Sequence, residues 1–293
     1  MPTADSAPPA EGRKPRDDEL DVFGLTHVGK VRKTNQDHFI LASIYKRVQV
    51  HLTSLSDQQR LPFGDERLAV IAMIADGVGG GQGGEKASAT ALEIASQYVA
   101  SSMNLYYSAD STEATFIDAL QSAAMQCHAA VVEGAKAEPA VRSMATTLTL
   151  WMGVWPWYYL LQVGDSRYYL FRDGELTQVS RDQTLAQDLV DQGVFTRAVG
   201  ARSQFAHVLS SAIGGQQTMP VVTRLKSEWH IVHLLCSDGL TKHVSDERIA
   251  DRLRTMTSAK QVCEQLLQDA LEGGGSDNIT MIVGRAVPKD RPA

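Results

Sequence analysis

Apolar runs alternate along this chain with segments in which apolar residues recur at helical spacing. Residues 68–75 and 231–236 are apolar almost throughout, which predicts two strands buried on both faces. Residues 85–101 and 114–133 place their apolar positions on one face of a helix, which predicts two consecutive amphipathic helices. Further strands are predicted around Phe23 and Phe39 and over residues 146–154, 158–163, 166–171, 176–179, 221–225 and 279–285, and further helices over 184–192, 246–253 and 259–271.

This clustering of strands between pairs of helices predicts an α+β fold. Two sheets packed face to face, with helices outside them, are one layered solution to that pattern. The 293 residues, 43% of them apolar, can bury a full core as one large domain or as two. Residues 1–19 are rich in proline, alanine and charge and are predicted to be disordered, and residues 46–66 form a polar excursion before the first apolar run.

Composition narrows the classes of partner and the compartment. The net charge of −6 and the lack of a long basic run argue against nucleic acid or an anionic membrane as the main partner. The three cysteines, Cys127, Cys236 and Cys263, have no paired or metal-binding spacing, which fits a reducing compartment. No signal region or membrane-length apolar stretch is apparent, so we expect a cytoplasmic protein. We also expect a monomer.

Five aspartates stand at the ends of apolar runs or in glycine-rich turns: Asp37, Asp76, Asp165, Asp238 and Asp277. A carboxylate at the edge of a buried strand is costly unless a cation meets it. Several such carboxylates from distant parts of the chain indicate hard divalent cations held by oxygen ligands, as Mg²⁺ and Mn²⁺ are. The pattern therefore favours a metal site.

Each of these aspartates also has a simpler interpretation as a turn residue. Asp-Gly is a strong turn signal, and Asp173-Gly174 in a polar ribbon reads as a hairpin turn and nothing more. Asp76 and Asp238 differ from Asp173 because a buried strand precedes each of them. Spacing alone leaves the turn and the metal site about equally supported.

Other candidate motifs favour structural roles. The glycine-rich stretch 77–84 lacks the Gly-Lys-Ser/Thr of a phosphate loop and reads as a turn into a helix. His230 and His233 flank a strand and have no partner at helical metal spacing, so we expect them to be structural. The tryptophans around Pro156 are expected to pack in a hairpin.

Seven short motifs are spread over residues 20–287. They are Thr26-His-Val-Gly-Lys-Val-Arg32-Lys-Thr-Asn-Gln-Asp37, Ala75-Asp76-Gly77-Val-Gly-Gly80, Gly84-Glu-Lys-Ala-Ser88, Met144-Ala-Thr-Thr-Leu148, Val163-Gly-Asp165-Ser-Arg167, Leu235-Cys-Ser-Asp238-Gly-Leu240 and Gly275-Ser-Asp277-Asn-Ile-Thr280. Each motif is weak alone, but their order resembles that of the metal-dependent Ser/Thr protein phosphatases of the phosphatase 2C (PPM) family, in a bacterial type. The resemblance implies a catalytic domain over residues 20–287, followed by a short tail at 288–293. It also implies a central β-sandwich of two antiparallel sheets flanked by helix pairs, with metals at one end.

The resemblance also implies a role for each aspartate. Asp76 matches the residue that bridges two Mn²⁺ or Mg²⁺ ions, and Gly77 matches the glycine whose carbonyl oxygen ligates the second ion. Asp238 and Asp277 match the other carboxylates of the first ion. Asp37 matches the acid that holds metal-bound water at the second. In bacterial members, Asp165 and Asp238 would bind a weaker third ion.

The implied activity is hydrolysis of phosphoserine and phosphothreonine in proteins, with a metal-bridged hydroxide attacking phosphorus. Arg32 matches the arginine that grips the substrate phosphate, and its planar fork suits that task. Without the family match, Arg32 reads as a surface arginine near Lys30 and Lys33. The expected partners are phosphorylated proteins, including a partner kinase or its substrates.

Two departures from the family pattern keep an alternative open. The histidine that often ends the first glycine-rich motif in bacterial relatives is absent, and Val78 stands where animal relatives carry the histidine proposed as general acid, so we assign no general acid. The flap that covers the site replaces a His-Pro-containing stretch with residues 196–207, so substrate preference does not transfer. The alternatives are a catalytically weak family member that binds phosphoproteins, and a phosphoesterase acting on small molecules.

Overall fold

The computed structural model describes residues 12–49, 64–79, 82–103, 112–138 and 144–289, which form two antiparallel sheets with helices outside them. The strands are β1 (Leu20–His27), β2 (Asp37–Val48), β3 (Gly64–Val78), β4 (Ala145–Thr146), β5 (Leu148–Val154), β6 (Trp157–Val163), β7 (Arg167–Arg172), β8 (Glu175–Gln178), β9 (Val221–Lys226), β10 (Val232–Cys236) and β11 (Ile279–Ala286). One sheet has the order β1-β11-β10-β7-β8, and the other has the order β2-β3-β5-β6-β9, with β4 paired to β3. The predicted α+β sandwich is confirmed.

Helices pack on the outer face of each sheet, and two further short helices lie in the segment between β8 and β9. They are α1 (Gln82–Ser102), α2 (Glu113–Ala137), α3 (Leu185–Asp191), α4 (Arg197–Arg202), α5 (Asp238–Thr241), α6 (Asp246–Arg254) and α7 (Ala259–Glu272). The helices α1 and α2 bury their apolar faces against the sheet that contains β3, and α5 to α7 pack on the sheet that contains β11. Among the described residues, none of these helices has the length and apolar character needed to cross a membrane.

The strand β3 shows why its sequence is apolar without alternation. Ile71 and Met73 face the helices α1 and α2, whereas Ala72 and Ile74 belong to the core between the two sheets. A central strand of a sandwich covered on both sides exposes neither face to water, so both sets of positions are apolar. This burial fixes the register in which β3 delivers Asp76 to the end of the sandwich.

The strand boundaries differ from the predicted ones in two places. The polar excursion at 46–66 is partly paired, because β2 continues to Val48 and β3 begins at Gly64; the remainder, 50–63, lies outside the described residues. The predicted strand 146–154 is divided at Thr147 into β4 and β5, which both pair with β3. The Thr147 amide between them donates to the carbonyl oxygen of Asp76. The Asp173-Gly174 hairpin is confirmed, since both residues have positive φ between β7 and β8.

Residues 12–19 are packed against the domain, which differs from the disordered tail predicted for residues 1–19. Glu19 is 1% exposed and forms an ion pair with Arg13 at 2.5 Å. Arg67 reaches from β3 to the carbonyl oxygen of Pro15 and to Asp17. The charged residues that were interpreted as a sign of disorder therefore form ion pairs with one another and with Arg67 of β3. The first eleven residues and residues 290–293 lie outside the described residues.

Candidate metal centre

Each of the five predicted aspartates lies at one end of the sandwich. Asp37 and Asp76 are a directly opposed pair where β2 and β3 meet. Asp165 lies in the turn between β6 and β7, Asp238 follows β10, and Asp277 precedes β11 by two residues. Because these strand ends belong to both sheets, the sandwich brings together carboxylates that are up to 240 residues apart in sequence.

Two threonines fix the main chain at Asp76. The amide of Asp76 donates to Thr147 Oγ1 at 3.0 Å, and its carbonyl oxygen accepts from the Thr147 amide at 2.9 Å and from Thr146 Oγ1 at 2.8 Å. Both threonine side chains are buried, so these bonds are shielded from water. The Thr-Thr pair of the fourth sequence motif therefore sets the position of the Asp76 carboxylate.

A second set of contacts positions Gly77 and Asp37. Ser88 of α1 donates to the carbonyl oxygen of Gln36 at 2.6 Å, and the Gly77 amide donates to the same oxygen at 3.2 Å. A side chain at Gly77 would place its Cβ 2.3 Å from the carbonyl oxygen of Gly84, so this close approach of main chains requires glycine. The motif at residues 84–88 thus anchors α1 against the candidate ligands.

Asp238 and Asp277 are held together by contact between the main chains that follow them. A Cβ at Gly239 would lie only 1.8 Å from the carbonyl oxygen of Asn278. The Asn278 side chain accepts from the Gln36 amide at 2.9 Å and donates to the carbonyl oxygens of Val28 and Thr34, both at 3.0 Å. This single amide joins the β11 end to the loop that carries Arg32.

Burial and mutual repulsion raise the pKa of three of the five carboxyl groups. Burial raises the pKa of Asp37 to about 6 against the opposing hydrogen bond from Ser237, and raises the pKa of Asp165 to about 8 with the help of the Asp238 charge. The pKa of Asp76 is raised well above its usual value by burial and then by the charges of Asp37 and Asp238. A divalent cation would supply positive charge that offsets this repulsion.

Asp277 behaves differently because two cationic side chains meet it. Burial would raise its pKa, but hydrogen bonds from Arg32 and Lys242 outweigh burial, and the pKa is lowered. Arg32 Nε lies 2.7 Å from Asp277 Oδ1, and Lys242 Nζ lies 2.8 Å from Asp277 Oδ2. Lys242 also lies 2.6 Å from Asp238 Oδ2.

The donor set fits hard divalent cations. Asp37 is 3% exposed, and its Oδ1 atom has no hydrogen-bond partner in the described part of the chain, while its Oδ2 atom accepts from Ser237 Oγ at 2.8 Å. A buried carboxylate oxygen left without a donor is costly unless a cation or water meets it. The neighbouring groups are carboxylates and a glycine main chain, which are oxygen donors of the kind that Mg²⁺ and Mn²⁺ prefer.

A polar cleft of about 890 Å³ leads from this end of the sandwich to the flap. Asp165, Asp238 and Lys242 line one end, and α3 and α4 form the opposite wall. His207, which follows α4, places its Nδ1 atom 4.0 Å from Asp238 Oδ2. Ligand atoms of Asp165, His207 and Asp238 all lie within 4.8 Å of one another, a spacing at which the three residues could share an ion.

The structure brings all seven predicted site residues to this end, since Arg32 reaches Asp277 and Gly77 adjoins Asp76. Sequence reasoning missed Ser237, Lys242, Asn278 and His207. The position of Ser237 and Asn278 beside predicted ligands was a usable signal. The contact of Lys242 with Asp277 and that of His207 with Asp238 had no such signal in the sequence, because both depend on the fold.

Comparisons with known proteins identify the family. The sequence profile described as Protein phosphatase 2C matches residues 56–273, about three quarters of the chain. The chain belongs to the protein phosphatase 2C family. It is 34% identical over 222 residues to the serine/threonine protein phosphatase PstP of Mycobacterium tuberculosis, covering 76% of this chain and 41% of PstP. The chain therefore spans about two fifths of that relative's length.

Two further comparisons agree with this assignment. The serine/threonine phosphatase stp of Listeria welshimeri is 28% identical over 214 residues, which cover 73% of this chain and 83% of stp. A crystal structure described as the catalytic domain of PstP in complex with two manganese ions superimposes with a TM-score of 0.70 at 30% identity. That match covers 92% of this chain and 99% of the solved chain, so the family resemblance extends over the whole sandwich.

Proposed function

We propose that this chain is a metal-dependent protein phosphatase that hydrolyses phosphoserine and phosphothreonine. The observation that carries the proposal is the convergence of Asp37, Asp76, Asp238 and Asp277 beside Arg32 at one end of the sandwich. Family membership supports it, because the relatives named above are serine/threonine phosphatases. The manganese-bound PstP domain supports the same use of metal.

The carboxylates would hold two Mn²⁺ or Mg²⁺ ions, with Asp76 shared between them. Asp238 and Asp277 would complete the first site, and the Gly77 carbonyl and Asp37 the second. When bound, two such ions lower the pKa of a water molecule and neutralise charge on phosphoryl oxygens during displacement. Asp165 and Asp238 would hold a weaker third ion, to which His207 is close enough to contribute a nitrogen ligand.

Arg32 would bind the phosphate and orient it. Its guanidinium is half exposed and anchored by Asp277 through Nε and Nη2, at 2.7 and 2.9 Å. An arginine anchored on one edge keeps donors for a second partner, and a phosphate accepts two parallel hydrogen bonds from such a group. The residue therefore links the substrate to one of the metal carboxylates.

The cleft between the site and the flap suits a peptide substrate. Its volume is about 890 Å³, and it is lined mainly by polar side chains such as Gln178, Arg181 and Gln187, which could bind peptide groups on either side of the phosphorylated residue. This feature favours phosphoproteins over small phosphoesters as substrates. That these phosphoproteins include a partner kinase or its substrates stays a prediction of the family resemblance.

Hydrolysis of a phosphothreonine peptide tests the proposal. Purified protein is incubated with Mn²⁺, with Mg²⁺ and with excess EDTA, and released phosphate is measured; a small aryl phosphate is compared in parallel. We expect turnover that requires metal and is faster on the peptide. A folded, metal-loaded protein without turnover would contradict the enzyme and favour a phosphoprotein-binding role. Faster turnover of the small ester would contradict the protein substrate.

A further inference from the structure

Lys242 forms two short ion pairs inside the candidate metal centre. Its Nζ atom lies 2.6 Å from Asp238 Oδ2 and 2.8 Å from Asp277 Oδ2. The Lys242 side chain is 22% exposed, and both carboxylates are also largely buried. The lysine is therefore held between two carboxylates that the proposed function assigns to the first metal ion.

A simpler role for Lys242 is that of a helix-stabilising partner. Lys242 follows the four-residue helix α5 and stands four positions after Asp238, a spacing at which opposite charges stabilise a helix. That role explains a bond to Asp238 alone. It does not explain the equally short bond to Asp277, which is 35 residues further along the chain and belongs to the β11 end of the site.

A protein ammonium group and a divalent cation compete for the same carboxylate oxygens. Two positive charges at one pair of carboxylates repel each other strongly where burial reduces screening. A metal ion that enters between Asp238 and Asp277 must therefore displace Lys242 or share the carboxylates with it. Both routes lower the affinity for the ion.

We propose that Lys242 is a built-in counter-ion that the first metal ion must displace from Asp238 and Asp277. It stabilises the metal-free carboxylate cluster and sets the metal affinity of the site below that of a site without the lysine. The inference rests on the proposed function for the identity of the ligands. It goes further by assigning this residue a role in setting metal affinity.

Mn²⁺ binding in the absence of substrate tests this inference. Dissociation constants are measured by titration calorimetry for the wild-type protein, for Lys242→Met and for Lys260→Met. Lys260 is a matched control, because it is an exposed lysine on α7 whose ion-pair partner is Glu264, at 3.7 Å, and not one of the candidate metal ligands. We expect Lys242→Met to bind Mn²⁺ at least about tenfold more tightly, equivalent to about 1.4 kcal/mol. Lys260→Met should change the constant less than about twofold, as expected for an exposed pair.

A labelling experiment on the wild-type protein covers the case in which Lys242→Met does not fold. Acetylation of individual lysines is followed by mass spectrometry in EDTA and in saturating Mn²⁺, with Lys260 as internal reference. Displacement of Lys242 by the ion predicts faster acetylation of Lys242 in Mn²⁺ and an unchanged rate at Lys260. An equal or slower rate at Lys242 would overturn the proposal.

The outcomes separate this inference from the proposed function. Equal or weaker Mn²⁺ binding by a folded Lys242→Met variant overturns the role of Lys242 and leaves the metal centre intact. Absence of Mn²⁺ binding by every variant overturns the metal centre and the inference together. Phosphatase activity enters neither measurement.

Discussion

Asp76 and Asp238 are the residues on which the proposed chemistry depends most. Replacing either by asparagine keeps the shape of the side chain and removes a negative charge that would hold metal. Because loss of groups that merely orient metal ligands costs 10- to 100-fold, we expect Asp76→Asn and Asp238→Asn each to lose more than about 100-fold in phosphopeptide turnover.

Asp173→Asn is the matched control for these two variants. Asp173 also precedes a glycine, but it lies in the β7–β8 hairpin, where asparagine tolerates the positive φ of 51°. It should retain full activity. Substantial turnover by Asp76→Asn, with a thermal transition like that of the wild type, would show that the carboxylate is not a catalytic metal ligand.

Arg32 is expected to act on substrate binding. Arg32→Ala removes charge-assisted hydrogen bonds to the phosphate; the loss of one such bond, about 1.5–3 kcal/mol, lowers kcat/KM by roughly 10- to 150-fold, so we expect a fall of at least about 10-fold. Steady-state kinetics on the phosphopeptide measures kcat/KM, and Mn²⁺ titration measures the metal affinity of the same variant. A variant that keeps wild-type kcat/KM would make Arg32 the ordinary surface arginine that its sequence context also allows. Arg32→Lys should recover only part of the activity, since an ammonium group lacks the planar fork.

At the scale of elements, the site depends on the close contact between the α5 and β11 ends. Gly239→Ala would drive a methyl group against the Asn278 carbonyl oxygen, 1.8 Å from an ideal Cβ, and the main chains must separate. Overpacking of this kind costs about 1–3 kcal/mol, and it should weaken Mn²⁺ binding because Asp238 and Asp277 move apart. Chemical denaturation and calorimetry measure the two effects.

Gly134→Ala provides the comparison for that variant. Gly134 lies inside α2, and its Cβ would meet only the flexible end of Met144 at 3.4 Å. Alanine there should be neutral or stabilising by up to about 1 kcal/mol, since glycine is unfavourable within helices. Equal effects of the two substitutions on metal affinity would contradict a special role for the Gly239 contact.

Sequence patterns predicted the elements whose apolar residues show which of their faces are buried. The strands β3 and β10 are apolar because both of their faces are covered. Asp76 directly follows the apolar run of β3, and Asp238 follows the run of β10 after Ser237. The short helix α4 was missed. Its six residues, Arg-Ala-Val-Gly-Ala-Arg, are too few to show a helical period, and only the N-cap Thr196, which accepts from the Val199 amide, signals it.

At the scale of the whole molecule, the candidate ligands could be predicted from the sequence, whereas the side chains that contact them from distant segments could not. Each candidate carboxylate follows from a local rule, an aspartate beside a strand end or in the adjoining turn. The contacts of Lys242 with Asp277 and of His207 with Asp238 arise only after both sheets and the flap are assembled, so local sequence carries no trace of them. The ordered segment 12–19 was missed for the same reason, because its charges are matched by Arg67 in a distant strand.

The central claim is that one end of this sandwich is a centre for two divalent metal ions. Equilibrium binding of Mn²⁺ to the metal-stripped chain, with bound metal counted by elemental analysis, tests it most directly. We predict two tightly bound ions per chain, with weaker occupancy of a third site. In Asp76→Asn, which lacks the shared ligand, both tight sites should be lost. Full retention of two ions by Asp76→Asn, or failure of the folded wild-type chain to bind Mn²⁺, would contradict the account.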